Sequence, residues 1–279
     1  MTVAVPSTSA HAPTEHQRAS LVRIGLAAVR SEWLKLRSVR STIWSMLVAL
    51  AILVGLGALF CAARVARWDH LDPAERLRFD PTRFSLNGIL LAQLAIGVLG
   101  VLVMTSEYAT GQIRATLGAT PQRRIVLAAK VFVFCATTFA VSMVGCLVAF
   151  TIGQSILSAK HAQAHLGDPG VLRAVVGGAV YLTLIGAFGV GLGVVLRRTA
   201  GAIATLVGFV LILPLLVSFL PSPWNDDIIK YLPGEAGGQL FTVIHEPNML
   251  SWPAGLAVLA AYVIVTLGVG VALLVRRDA

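Results

Sequence analysis

Residues able to do chemistry are scarce in this sequence, and their spacing excludes most of the reactions they could serve. His161 and His165 stand four apart, so on one helical turn two imidazoles could share a metal. No carboxylate or third ligand adjoins them, and we read the pair as a solvated face. His245-Glu246 carries still less. No Gly-x-x-x-x-Gly-Lys-Ser/Thr run is present to cradle a nucleoside triphosphate, and neither His-Glu-x-x-His nor Cys-x-x-Cys occurs. Gly189-x-Gly191-x-Gly193 resembles part of a dinucleotide fingerprint, but it lies inside an apolar run without a preceding strand. It reads as packing glycine. The expectation is a chain that is not an enzyme, with no catalytic residue, metal site or cofactor of its own.

What surrounds these residues explains the scarcity. The chain has 279 residues, of which 57% are hydrophobic and only 13% charged. Soluble domains carry about 25% charged residues, and the mean hydropathy is +0.82. The net charge of +9 could suit nucleic acid. In so apolar a chain it better fits the Lys and Arg that collect at the cytoplasmic ends of membrane spans, so no nucleic-acid partner is expected. Cys61, Cys135 and Cys146 all fall in apolar stretches, which excludes a disulfide framework.

Crossing about 30 Å of hydrocarbon takes roughly 20 apolar residues in a helix. Six stretches free of Asp, Glu, Lys, Arg and His reach that length: about 43–62, 86–105, 131–152, 174–196, 199–220 and 254–275. The predicted fold is all-α and polytopic, with 1–19 as a disordered tail and 20–279 as one six-helix transmembrane domain. The tail is rich in Ala, Pro, Ser and Thr and has no apolar core, so it does not read as a signal peptide. With both termini cytoplasmic, the inside segments take the larger share of Lys and Arg, as the positive-inside rule requires. The spans offer only neutral polar groups, Gln93, Thr137, Thr138, Ser142, Thr183 and Thr205. They could bond between helices or line a pathway. An ion relay would need ionisable groups there, so energy for uphill transport is expected to enter from elsewhere.

Three cytoplasmic elements stand out. In 20–41, Val22, Leu26, Val29, Trp33 and Leu36 form an apolar stripe at helical spacing, with Arg23, Arg30 and Arg37 beside it. This predicts an amphipathic helix lying in the headgroup layer, either a plain basic anchor or one that also touches a partner. Between the second and third spans, 106–130 should form a short helical piece near 112–117. A second helix would follow, capped by Thr120 with Pro121 at its first position. The third element is the Arg197-Arg198 link, short enough to force the fourth and fifth spans antiparallel. Outside, 221–253 is rich in proline and holds Trp224, Tyr231 and Trp252, which suit the interface. Any part of it that dips into the membrane must be buried in protein. Pro214 should kink the fifth span or be accommodated by its neighbours.

These residues resemble a family. Ser31-Glu32-Trp33-x-Lys35-x-x-Ser38 with Arg40-Ser41 entering the first span, and Glu107-x-x-x-Gly111-x-x-Arg114-x-x-Leu117 leaving the second, are similar to the membrane subunits of type-2 ATP-binding cassette (ABC) permeases. So are Pro121-x-Arg123 with Lys130 entering the third, the Arg197-Arg198 turn, and Tyr231-Leu232-Pro233-Gly234 outside; Gln112 stands where Thr often follows the glycine. The resemblance implies a bacterial cytoplasmic-membrane permease, an exporter pairing with a second copy or a homologue and driven by separate P-loop ATPase subunits that bind the ATP. It implies an interfacial helix marked by Trp33, Lys35 and Arg37. It also implies contacts to the ATPase through Glu107, Gly111, Arg114, Leu117, Pro121 and Arg123, with Arg197 and Arg198 as a smaller one. Glu107 could pair with a basic residue of the loop or of the interfacial helix. The competing readings are a stand-alone channel or secondary carrier, and a non-transporting membrane anchor or sensor.

Overall fold

The computed structural model describes residues 15–112, 118, 122–245 and 248–276, with the side chains of 15–22 left aside. Among the described residues every regular element is helical. Six helices are long and apolar enough to cross a membrane: Arg40–Ala66, Ile89–Ala109, Arg123–Lys160, Val171–Leu196, Thr199–Val217 and Trp252–Arg276. They are the six spans expected from sequence. A separate helix, Glu15–Ser38, precedes them, and the chain breaks at Val39 before the first span begins.

Boundaries shift where polar residues continue a helix or small residues start one late. The second span begins at Ile89, because Pro81–Ser85 forms its own short turn of helix under the Asp80 cap. The continuous α-helix of the third span, Arg123–Leu157, has 35 residues, about 52 Å at 1.5 Å per residue. That exceeds the hydrocarbon thickness, so the helix projects beyond it as a rigid rod. It starts at Arg123 after an uncapped Gln122, two residues past the predicted start; Thr120 and Pro121 lie outside the described residues. Past Lys160 the helical geometry ends, and His161 takes a left-handed φ of 53°. His161 and His165 therefore do not share a helical face, contrary to the expected extension of the third span.

The fourth span fills the centre. In its most apolar stretch 72% of residues are buried, against 22% in the fifth and sixth spans. Its glycines make this possible. A Cβ on Gly189 would sit 2.2 Å from the Gly97 carbonyl oxygen, and one on Gly100 would sit 2.1 Å from that of Gly186. The second and fourth spans thus touch backbone to backbone, as small-residue spacing allows. These glycines serve the second span, although the tight Arg197-Arg198 link joins the fourth span to the fifth. Phe188, Phe209 and Tyr262 then lock the fourth, fifth and sixth spans edge to face, with centroids 5.9 to 6.3 Å apart.

Pro214 is accommodated without breaking the fifth span. Gly208–Ile212, just before it, widens into a π-helical turn, a usual answer to a missing N–H. On the outer side, Pro233–Gly238 and Gln239–Phe241 turn back between the spans. Ala236 meets the sixth span at Gly255, Leu240 meets the fourth at Gly177, and Gly237 lies against the Tyr181 ring. Tyr181 is about 15 Å along its helix from Val171, so this segment reaches well below the outer ends of the spans. Protein surrounds its backbone, as such a position requires.

One carboxylate anchors that returning segment. Asp80 accepts hydrogen bonds from the Arg83 N–H at 2.9 Å and, through its other oxygen, from Val243 N–H at 2.7 Å and Ile244 N–H at 3.1 Å. It is buried. Asp80→Ala is expected to cost about 2 kcal/mol, since these donors lose a charged acceptor. Limited proteolysis should then cut faster near 243–251, and unchanged protection would show that other contacts hold the segment.

Candidate functional site

At the end of the bundle where Arg123, Arg124, Arg197 and Arg198 gather, four charged side chains from three helices form a closed lattice. Lys130, near the start of the third span, donates to Glu32 Oε2 at 2.5 Å and to Glu107 Oε1 at 2.8 Å. Lys35 donates to Glu32 Oε1 at 2.8 Å and to the same Glu107 oxygen at 3.0 Å. Glu32, Glu107 and Lys130 are 5%, 4% and 3% exposed. Sequence places each for a local reason. Glu32 and Lys35 are three apart and share a face of the N-terminal helix. Glu107 follows the last apolar residues of the second span, and Lys130 stands about 10 Å along the rod that begins at Arg123.

Charges this deep are costly unless paired and hydrogen-bonded. Among the described residues the lattice pairs two acids with two bases, leaving Glu107 Oε2 without a hydrogen-bond partner. It joins the N-terminal helix, the second span and the third span at one point, so none of the three can shift alone without exposing or unpairing a charge. Glu107 pairs with Lys130 at the end of the loop and also with Lys35 of the N-terminal helix. The Lys35 ammonium is held above the ordinary lysine value of 10.5: burial opposes its charge, but the hydrogen bonds to Glu32 and Glu107 outweigh it. A raised folded-state value adds stability that is complete below pH 10.5 and lost as pH rises through the folded value. Melting temperature should therefore fall more steeply above pH 10.5 in the wild type than in Lys35→Met. Parallel curves would show that Lys35 carries no such linkage.

The other residues expected at this face divide. Gly111 takes a φ of 70°, a left-handed conformation that favours glycine, and so turns the chain out of the second span. Arg123 is occupied internally: it donates to the Leu274 carbonyl at 2.8 Å, tying the third span to the end of the sixth. Arg197, itself left-handed, lays its guanidinium 5.2 Å from the Tyr108 ring centroid, while Arg198 is exposed. Arg37 is exposed. Arg114, Leu117 and Pro121 lie outside the described residues.

On the N-terminal helix the apolar stripe is divided, with Leu36 packed against the bundle near Met46, Leu99 and Phe134. Leu26 and Trp33 are exposed, whereas Glu32 on another face is buried against the spans.

Of the six neutral polar groups singled out from sequence, Gln93 bonds across helices, accepting a hydrogen bond from Tyr181. Thr137, Thr183 and Thr205 donate back to carbonyls of their own helices, and Thr138 and Ser142 are buried. An acid also reaches this level. Glu235 rides on the returning helix Pro233–Gly238, whose Gly237 lies against the Tyr181 ring. The six spans hold no ionisable residue in their apolar windows, yet the returning segment brings one among them. Its only sequence signal was its place directly after Tyr231-Leu232-Pro233-Gly234.

A family model described as ABC-2 family transporter protein matches residues 28–214. No curated protein matches the chain. The matched stretch contains all four members of the charge lattice and the first four spans.

Proposed function

The chain belongs to the ABC-2 family of transporter proteins, and on that premise we propose that it is the permease half of an ATP-driven exporter, moved by a separate P-loop ATPase docked on its inner face. Family and spans together make it a membrane transporter subunit. The observation that favours an external motor is the Glu32–Lys35–Glu107–Lys130 lattice. A push on the segment between the second and third spans would reach both of them, and the N-terminal helix, through one rigid ionic joint. The third span extends as a rod on the same side. In this reading the segment 106–130 seats in the ATPase, with Glu107 as a positioning residue and Arg114, Leu117 and Pro121 at the contact. Arg197-Arg198 forms the smaller contact. The exposed Leu26 and Trp33 would lie in the headgroup layer of the cytoplasmic membrane, with both termini inside.

A second copy or a homologue completes the path. Within one bundle the fourth span fills the centre and the second touches it backbone to backbone, which leaves the outer faces of the bundle to line a route. The ATP would be held by the partner alone. Apolar spans with few polar groups suit an amphipathic or lipophilic cargo.

The test is purification of the tagged chain from its own membranes in mild detergent. The reading predicts that a P-loop ATPase elutes with it and that the eluate hydrolyses ATP. A chain that purifies alone, yet moves solute when reconstituted, would instead be a channel or secondary carrier.

A further inference from the structure

A cleft of about 330 Å³ opens against the lattice, between the N-terminal helix, the start of the first span and the inner halves of the second and third, and Glu32, Lys35, Glu107 and Lys130 all line it. Its walls differ in chemistry. Along the second span Leu99, Leu102 and Val103 line it, spaced as one helical face, with Ser106 at the inner end. Facing them on the first span are Ser41, Thr42 and Ser45, hydroxyls where a membrane helix would ordinarily present apolar side chains. The cleft follows the second span for about 10 Å from Leu99 to Ser106.

The hydroxyl wall is unusual in a second way. Thr105, Thr137, Thr183, Thr205 and Thr266 each donate to a carbonyl one turn back on their own helix. Among the described residues, nothing bonds the hydroxyls of Ser41, Thr42 and Ser45 in this way. Thr42 is 7% exposed, and Glu107, which also lines the cleft, keeps its Oε2 buried without a hydrogen-bond partner among the described residues. A buried carboxylate oxygen without a partner is costly, and an occupant that donates an O–H group to it would remove that cost.

We propose that this cleft binds an uncharged, hydroxyl-bearing amphiphile with a single short chain, entering from the inner leaflet. The volume is at the small end for a ligand site, which excludes a two-chain lipid. Among the described residues the four charges lining the cleft are equal in number and ion-paired, so they give no net attraction to an ionic head, and Glu107 Oε2 is left to accept from a hydroxyl. The hydroxyls can donate to and accept from a polyol, and the aliphatic wall takes the chain. Binding of this kind does not depend on the transport reading, and it adds to that reading a place where such a molecule meets the protein.

Octyl glucoside carrying a diazirine is the probe, used on the purified full chain in lipid nanodiscs. Saturable labelling is expected on peptides spanning 38–45 and 99–106. Unlabelled octyl glucoside should compete, while octyltrimethylammonium and octyl sulfate should not. Leu102→Trp fills the cleft and should abolish labelling. The double variant Thr42→Val with Ser45→Ala, which keeps the shape, should weaken apparent affinity about tenfold through the lost hydrogen bonds. Labelling that is unsaturable and spread over lipid-facing residues would overturn the proposal, as would equal competition by the charged amphiphiles or full affinity in the double variant. With a co-purified ATPase present, labelling that falls on adding ATP identifies the occupant as cargo, and labelling that does not identifies a resident ligand.

Discussion

Lys130→Met should destabilise the protein by about 3 kcal/mol, the scale for breaking a buried ion pair from one side. The variant leaves the buried carboxylates of Glu32 and Glu107 with Lys35 as their one remaining cation among the described residues. Removal of both signs is the informative control. Glu32→Leu combined with Lys130→Met takes out one charge of each kind, and should recover most of the lost stability because no uncompensated charge then remains buried. Thermal unfolding in detergent, followed by monodispersity of the purified chain, measures both. If the single variant melts like the wild type, the lattice is not a structural joint.

The second large effect is steric. Gly189→Ala places a methyl group 2.2 Å from the Gly97 carbonyl oxygen, which belongs to backbone and cannot swing aside. The second and fourth spans must then separate, and overpacking of this kind costs up to about 3 kcal/mol. Gly201→Ala is the matched control: it lies in the fifth span, and nothing stands within 4 Å of its new methyl group. The expected result is a large drop in melting temperature for the first and none for the second. Equal melting would mean that the contact between the two spans is looser than described here.

The two predictions also mark what sequence could and could not convey. The six spans were legible because uninterrupted apolar length is a strong local signal. Their ends were less so, since a helix continues through polar residues once a neighbour holds it, as the third span does to Leu157. The meeting of Glu32 with Lys130 was not legible, because the residues are 98 positions apart and periodicity reports only neighbours on one helix. Which face of the N-terminal helix meets the bundle was not legible for a related reason: the partners of Glu32 and Lys35 lie on other helices. The glycines of the fourth span were recognised as packing residues, while their partner, the second span, depended on topology. Asp80 carried a readable cue, an acid directly before a proline at a helix start, although its long reach to Val243 and Ile244 had none.

Most direct for the central claim is ATP turnover by the complex of this chain with its motor, reconstituted in liposomes and compared between the wild type and Arg114→Glu. That residue lies on the segment taken to seat in the ATPase and is not one of the four lattice residues, and the folded bundle is expected to be unaffected. If the membrane chain is a gate worked from its inner surface, the variant should insert and melt normally while hydrolysis falls to the rate of the motor by itself. Turnover equal to the wild type would contradict the assignment of that segment as the place where force enters.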